Sequence, residues 1–163
     1  MMQRILVVCT GNVCRSPAAQ ALLSHALLGR TVQSAGVAAI DGTVVDPVMN
    51  ELLTARGFDL SAHRARRIGD RTCQWADLIL VMESAHRRLI ERTYPMTRGR
   101  VYRLTERYQT DVPDPYRRSR YVYDYATKLI EHGVADWAAR IATLEPNRPQ
   151  CPDTGVDAPE QSQ

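Results

Sequence analysis

RILVVCTGNVCRSPAAQALLSHALL, residues 4–28, runs from apolar residues through a short polar loop into apolar residues at helical spacing. The first part, RILVVC (4–9), predicts a buried strand, and SPAAQALLSHALL (16–28) predicts a helix. Ser16 reads as the helix cap, and Pro17 suits the first turn, where its missing amide proton costs nothing. Between strand and helix stand two cysteines, a Gly-Asn pair and an arginine. They could form a metal clamp, half of a disulfide framework, or a loop that holds an anion beside a thiol.

Outward from this stretch the same alternation continues. TVQSAG (31–36) reads as a strand and VAAIDGTV (37–44) as a loop. A helix starts at Asp46 and Pro47 and runs to about Arg56, where Gly57 stops it. ADLILVM (76–82) is a buried strand followed by the helix ESAHRRLIERTY (83–94), and GRVYRL (99–104) is a fourth strand. After the turn-rich DVPDPYRRS (111–119), residues 120–142 form a long amphipathic helix. Strands alternating with helices imply a parallel sheet with right-handed crossovers and helices on both faces. The expected fold is α/β, a single-domain three-layer sandwich around a four-stranded parallel sheet. Ligands of such sheets bind outside the carboxyl ends of the strands, where the 9–16 loop falls.

Composition narrows the class. The chain has 163 residues and is 44% hydrophobic, enough for one buried core. Its apolar runs are far shorter than the roughly 20 residues that span a bilayer, and MMQR does not open a signal peptide, so a cytoplasmic protein without membrane insertion is expected. Cysteines 9, 14, 73 and 151 lack the density of a secreted disulfide scaffold, and Cys9 and Cys14 have no partner pair at zinc-finger spacing. No metal and no cofactor are expected. Residues 145–163 hold four acids against one arginine and four prolines, and are expected to be a disordered tail to a 1–144 domain. The remaining 144 residues carry 20 basic and 14 acidic side chains, but the arginines are scattered without interleaved aromatics, which argues against nucleic acid.

The loop itself favours anion chemistry. Backbone amides and the positive end of a helix dipole, offered by Thr10, Gly11, Asn12, Val13, Cys14, Arg15 and Ser16, converge on one anion. Arg15 adds a planar fork for two phosphate oxygens. A thiol at the base of such a cradle is favoured as the thiolate, which would make Cys9 a soft nucleophile under phosphate-shaped donors. Gly11 is expected to permit the turn and Asn12 to adopt the left-handed conformation.

VCTGNVCRSP (8–17) resembles the signature of the low-molecular-weight protein tyrosine phosphatases, and SAG (34–36), SAHRARR (61–67), DLILVME (77–83) and VPDPY (112–116) are similar to segments recurring in that family in this order. The likeness runs from about residue 4 to 142. Within the family the chain most resembles the bacterial Wzb-type phosphatases of capsule and exopolysaccharide production, which act on autophosphorylating tyrosine kinases. The resemblance implies a protein-tyrosine-phosphate phosphohydrolase working through a phosphocysteine. Cys9 would be the nucleophile, Arg15 the phosphate clamp and Asp114 the general acid, with Asp111 a rival outside the Asp-Pro-Tyr context. Ser16 would donate to the Cys9 sulfur, and Ser34 and His63 would hold a strained Asn12. Ile40 and Tyr116 would wall the substrate ring. Tyr108, Tyr121, Tyr123 and Tyr125 read as packing or surface residues. Cys14 is a candidate redox partner of Cys9. The implied partner is a phosphotyrosine protein, a bacterial tyrosine kinase. A thioredoxin-coupled arsenate reductase and a non-catalytic phosphate-binding module are the alternatives.

Overall fold

The computed structural model describes residues 2–144; the expected tail at 145–163 lies outside the described residues. Strands β1 (Arg4–Cys9), β2 (Thr31–Gly36), β3 (Leu78–Val81) and β4 (Val101–Arg103) form one parallel sheet in the order β2-β1-β3-β4. The helices are α1 (Arg15–Ala26), α2 (Pro47–Thr54), α3 (Asp70–Trp75), α4 (Ser84–Thr93) and α5 (Arg120–Leu144). The strand order reverses direction between β1 and β3, so the loop after β1 sits at the switch point where such sheets leave a crevice.

Side-chain alternation along the strands builds two cores. Ile5, Val7 and Cys9 of β1, with Leu78 and Leu80 of β3, pack under α1, α2 and α5. Leu6 and Val8, with Ile79 and Val81, pack on the other face with Cys73 of α3 and Ile90 of α4. A sheet covered on both faces needs continuous apolar strands, which is why ILVVC and LILV carry no polar position. The three-layer α/β sandwich expected from the pattern is the fold observed.

Element boundaries differ in informative ways. Asp46 accepts from the Met49 amide at 3.1 Å and Pro47 opens α2, while Gly57 at φ 87° turns the chain out beyond it. The first helix starts one residue earlier than expected and ends at Ala26. Ser16 is not its cap: the N-cap is Cys14, and no side chain caps this helix. The six-residue α3 has no counterpart in the sequence reading, because DRTCQW buries only Cys73 and shows no apolar period. It begins where Thr72 Oγ1 accepts from the Gly69 amide at 3.0 Å. Of the four tyrosines read as packing or surface, Tyr123 is buried and Tyr108, Tyr121 and Tyr125 are exposed.

Candidate active site

The register of β1 against β2 pairs Cys9 with Gly36 and sets the start of the loop. The amide of Val37 donates to the Cys9 carbonyl at 3.0 Å and that of Ala38 to the Thr10 carbonyl at 2.9 Å. Contact this close is why SAG ends in glycine. A Cβ on Gly36 would lie 2.5 Å from the Thr10 oxygen and 2.9 Å from the Asn12 nitrogen. Gly11, expected to shape the turn, has no positive φ, and a Cβ there would meet only Val13 Cγ2 at 3.6 Å. The left-handed residue is Asn12, at φ 54°.

Such a conformation costs a non-glycine residue about 1–2 kcal/mol, so something must hold it. Asn12 is fully buried and bonded on every side. Its Nδ2 donates to Ser16 Oγ at 2.8 Å and Ser34 Oγ at 2.9 Å. Its Oδ1 accepts from the Arg66 amide at 3.0 Å, and its carbonyl accepts from His63 Nε2 at 2.8 Å. Ser34 in turn donates to Gln20 Oε1 at 2.6 Å. Facing a carbonyl, His63 must carry its proton on Nε2; burial, with Arg64 and Arg66 nearby, lowers its pKa despite that bond.

The sulfur of Cys9 sits inside this frame, 2.9 Å from Ser16 Oγ and 3.2 Å from the Asn12 amide. The Asn12 amide donates to the sulfur, and the Ser16 hydroxyl lies within hydrogen-bonding distance of it. Because α1 begins at Arg15 with no side-chain cap, its first amides lack intrahelical partners and stay available to an anion.

Arg15 is 1% exposed, a burial that a guanidinium tolerates only when it is paired. Its Nη1 donates to Glu83 Oε1 at 2.5 Å and to the Val112 carbonyl at 2.8 Å. Nη2 lies 3.4 Å from Thr10 Oγ1 and 3.6 Å from Asp114 Oδ2. Glu83 and His86, which follow β3 at the start of α4, were not singled out as site residues. No local pattern marks them; only the placement of ME directly after a buried strand, at the sheet's ligand edge, could have done so.

A cleft of about 220 Å³ opens over this loop, lined by Cys9, Thr10, Val13, Arg15, Ile40, Asp114 and Tyr116 among others. Asp114 is half exposed, and its Oδ1 accepts from the Tyr116 amide at 3.1 Å. Asp111 points elsewhere. It accepts from the Ser84 amide at 3.0 Å and pairs with Arg103 at 3.3 Å; burial works against ionisation there, but these partners outweigh it and lower its pKa. Cys14 is buried under the loop, and burial pushes its thiol well above the ordinary range, with Asp46 adding to the shift. Among the described residues no cluster could hold a metal ion and no helix is long and apolar enough to cross a membrane.

Comparison with known proteins places this geometry. The profile of the low molecular weight phosphotyrosine protein phosphatases matches residues 4–147. The probable low molecular weight protein-tyrosine-phosphatase EpsP of Ralstonia solanacearum is 45% identical over 144 residues, covering 88% of this chain and 99% of the relative. Among solved structures, the tyrosine phosphatase Wzb from Escherichia coli K30, in complex with sulphate, superposes with a TM-score of 0.83. It is 34% identical, over 86% of this chain and 99% of that one. The YwlE arginine phosphatase from Geobacillus stearothermophilus gives a TM-score of 0.81 at 32% identity, over 86% of this chain and 94% of that one.

Proposed function

The chain belongs to the low molecular weight phosphotyrosine protein phosphatases, and from that premise we propose that residues 1–144 hydrolyse phosphotyrosine through a phosphocysteine on Cys9. The observation that carries this reading is the placement of Cys9 Sγ within hydrogen-bonding distance of Ser16 Oγ, beneath a cleft that Arg15 and Asp114 both line.

In the first step the Cys9 thiolate attacks phosphorus in line while the ester P–O bond breaks, and Asp114 gives its proton to the departing phenolate oxygen. Arg15 and the amides of residues 10–16 hold the three equatorial oxygens, and Nη1, already fixed by Glu83 and Val112, keeps the guanidinium plane from turning. In the second step ionised Asp114 takes a proton from the attacking water. The sulfur departs as thiolate, steadied by the hydroxyl of Ser16. The Asn12 frame, with Ser34 and His63, serves to keep the loop in its strained shape.

Ile40 and Tyr116 offer apolar walls at the mouth, suited to an aromatic ring. Those apolar walls suit a phenyl ring better than the polar guanidine of phosphoarginine, which favours phosphotyrosine. Cys73 packs on the opposite face of the sheet from Cys9 and Cys14, so a cysteine relay of the arsenate-reductase kind has no short path through it. A non-catalytic phosphate module would have no use for Asp114 above the sulfur. In this reading Cys14 is the partner that would condense with a Cys9 sulfenic acid to a disulfide, with loss of water, and burial keeps its thiol protonated and slow. The physiological substrate in this reading is the tyrosine-rich segment of an autophosphorylating bacterial kinase of exopolysaccharide production, met in the cytoplasm. Arg117 and Arg118, just past the acid loop, would speed encounter with such an anionic segment.

The test compares kcat/KM for matched phosphotyrosine, phosphoserine and phosphoarginine peptides. Phosphotyrosine should be hydrolysed at least about a hundredfold faster, because a serine phosphate cannot reach the sulfur without forcing its peptide into the walls. A value for phosphoserine or phosphoarginine comparable with that for phosphotyrosine would overturn the substrate assignment.

A further inference from the structure

His86 takes no part in the chemistry above, yet it is buried at the edge of the cleft with both ring nitrogens engaged. Nδ1 lies 3.2 Å from the backbone nitrogen of Glu83. That nitrogen carries a hydrogen, so Nδ1 must accept, and in the neutral ring the proton sits on Nε2. Nε2 is 2.9 Å from Thr10 Oγ1 and therefore donates to it. The same oxygen faces Arg15 Nη2 at 3.4 Å. With donors directed at both lone pairs, the hydroxyl must aim its own proton elsewhere, and Thr10 lines the cleft.

We infer that His86 is a positioning residue which, through its fixed tautomer, turns the Thr10 hydroxyl into a side-chain hydrogen-bond donor for the bound phosphate. The relay runs from the Glu83 amide through the imidazole to Thr10 and into the cleft. A hydroxyl free to rotate could instead present a lone pair to the anion, which repels; His86 and Arg15 together remove that option. The neighbours of His86 suit a neutral ring. Burial lowers its pKa, Arg15 pushes the same way, and Glu83, Asp111 and Asp114 pull against them without reversing the shift. Protonation would place an N–H on Nδ1 against the Glu83 amide and a second cation beside Arg15. The inference deepens the phosphatase reading and rests on it for the identity of the anion.

The experiment is a double-mutant cycle in the full chain, read as phosphate affinity by calorimetry and as kcat and KM on para-nitrophenyl phosphate at neutral pH. Thr10→Val should weaken phosphate about tenfold, the low end for a hydrogen bond to a charged group, and raise KM more than it lowers kcat. His86→Leu should cost a similar factor in the wild-type background and almost nothing once Thr10 is valine. His86→Gln, which can still present an N–H toward Thr10, should recover most of the affinity. If His86→Leu fails to fold, His86→Phe takes its place in the cycle, and Thr10→Ser against Thr10→Val checks the hydroxyl separately, since only serine keeps it. Undiminished phosphate binding in Thr10→Val, or equal losses from His86→Leu in both backgrounds, overturns the proposal and leaves His86 a helix-capping residue. Absence of Cys9-dependent turnover in the wild-type chain would instead defeat the phosphatase reading, while the calorimetric cycle would still report on Thr10 and His86.

Discussion

The loop from Cys9 to Ser16 and the loop from Asp111 to Ser119 share one cleft but are held in opposite ways. In the first, Asn12, Arg15 and Ser16 are almost without exposure, and their polar atoms are tied to strands, helices and loops from four parts of the chain. The second is anchored by buried Val112, whose amide donates to the Met82 carbonyl at 2.9 Å. Beyond Val112 it closes mainly on itself: Asp114 accepts from Tyr116, the Arg118 amide donates to the Pro115 carbonyl at 2.8 Å, and Arg117 stands at φ 58°. The Arg117 guanidinium stacks on the Tyr116 ring at 5.2 Å. The rigid loop meets the phosphate, which is the same in every substrate. The exposed loop meets the leaving group and the peptide, which vary.

If that division is real, chemistry and binding should separate most sharply at the buried loop. Cys9→Ser should remove hydrolysis, a loss on the order of 10⁴-fold or more, while phosphate or vanadate still binds because Arg15 and the amides remain. Turnover near wild type would break the assignment of the nucleophile, and lost anion binding would break the claim that the cradle is independent of the sulfur.

The exposed loop should respond to the leaving group. Asp114→Asn should lower kcat by about 10²–10⁴ for phenyl phosphate and much less for a nitrophenyl ester, whose anion departs without a proton. Equal losses for both would make Asp114 a positional residue and draw the two loops together.

The smallest effect concerns the histidines that brace the buried loop from either side. His63 and His86 both titrate below their ordinary value near 6.5, chiefly through burial. As pH falls the unfolded chain binds these protons first, so their contribution to stability is complete above about 6.5 and is lost as pH falls through the folded values. Denaturant midpoints measured between pH 7 and pH 5 should therefore decline, and the decline should flatten in His63→Gln. An unchanged slope in that variant would mean that the loop frame does not sense the charge of His63.

Much of the cleft could be read from residues 4–17 alone. An apolar run, a seven-residue loop and a helix opening are local in sequence, so strand, cradle, thiol and arginine follow from neighbours along the chain. Where the reading failed, local rules were displaced by contacts. Ser16 suits a helix cap, but its hydroxyl is drawn to the sulfur of Cys9 and accepts from the side-chain Nδ2 of Asn12. Gly11 looks like the flexible position, yet the close approach is at Gly36. The helix Asp70–Trp75 escaped because a short segment with one buried side chain has no period to detect.

By itself, the sequence determined the α/β alternation, the anion loop and the chemistry that its cysteine and arginine can perform. The tertiary structure alone decided which distant groups serve that loop. Sheet register brings Gly36 to Cys9 and Val81 to Val8, and thereby delivers Ser34 on one side and Glu83 with His86 on the other. The same packing turns Asp114 toward Arg15 and Asp111 away to Arg103, though only two residues separate them. Spacing along the chain carries no record of such choices. They arise when a buried guanidinium and a strained asparagine must satisfy every polar atom at once, and only the folded chain supplies the partners.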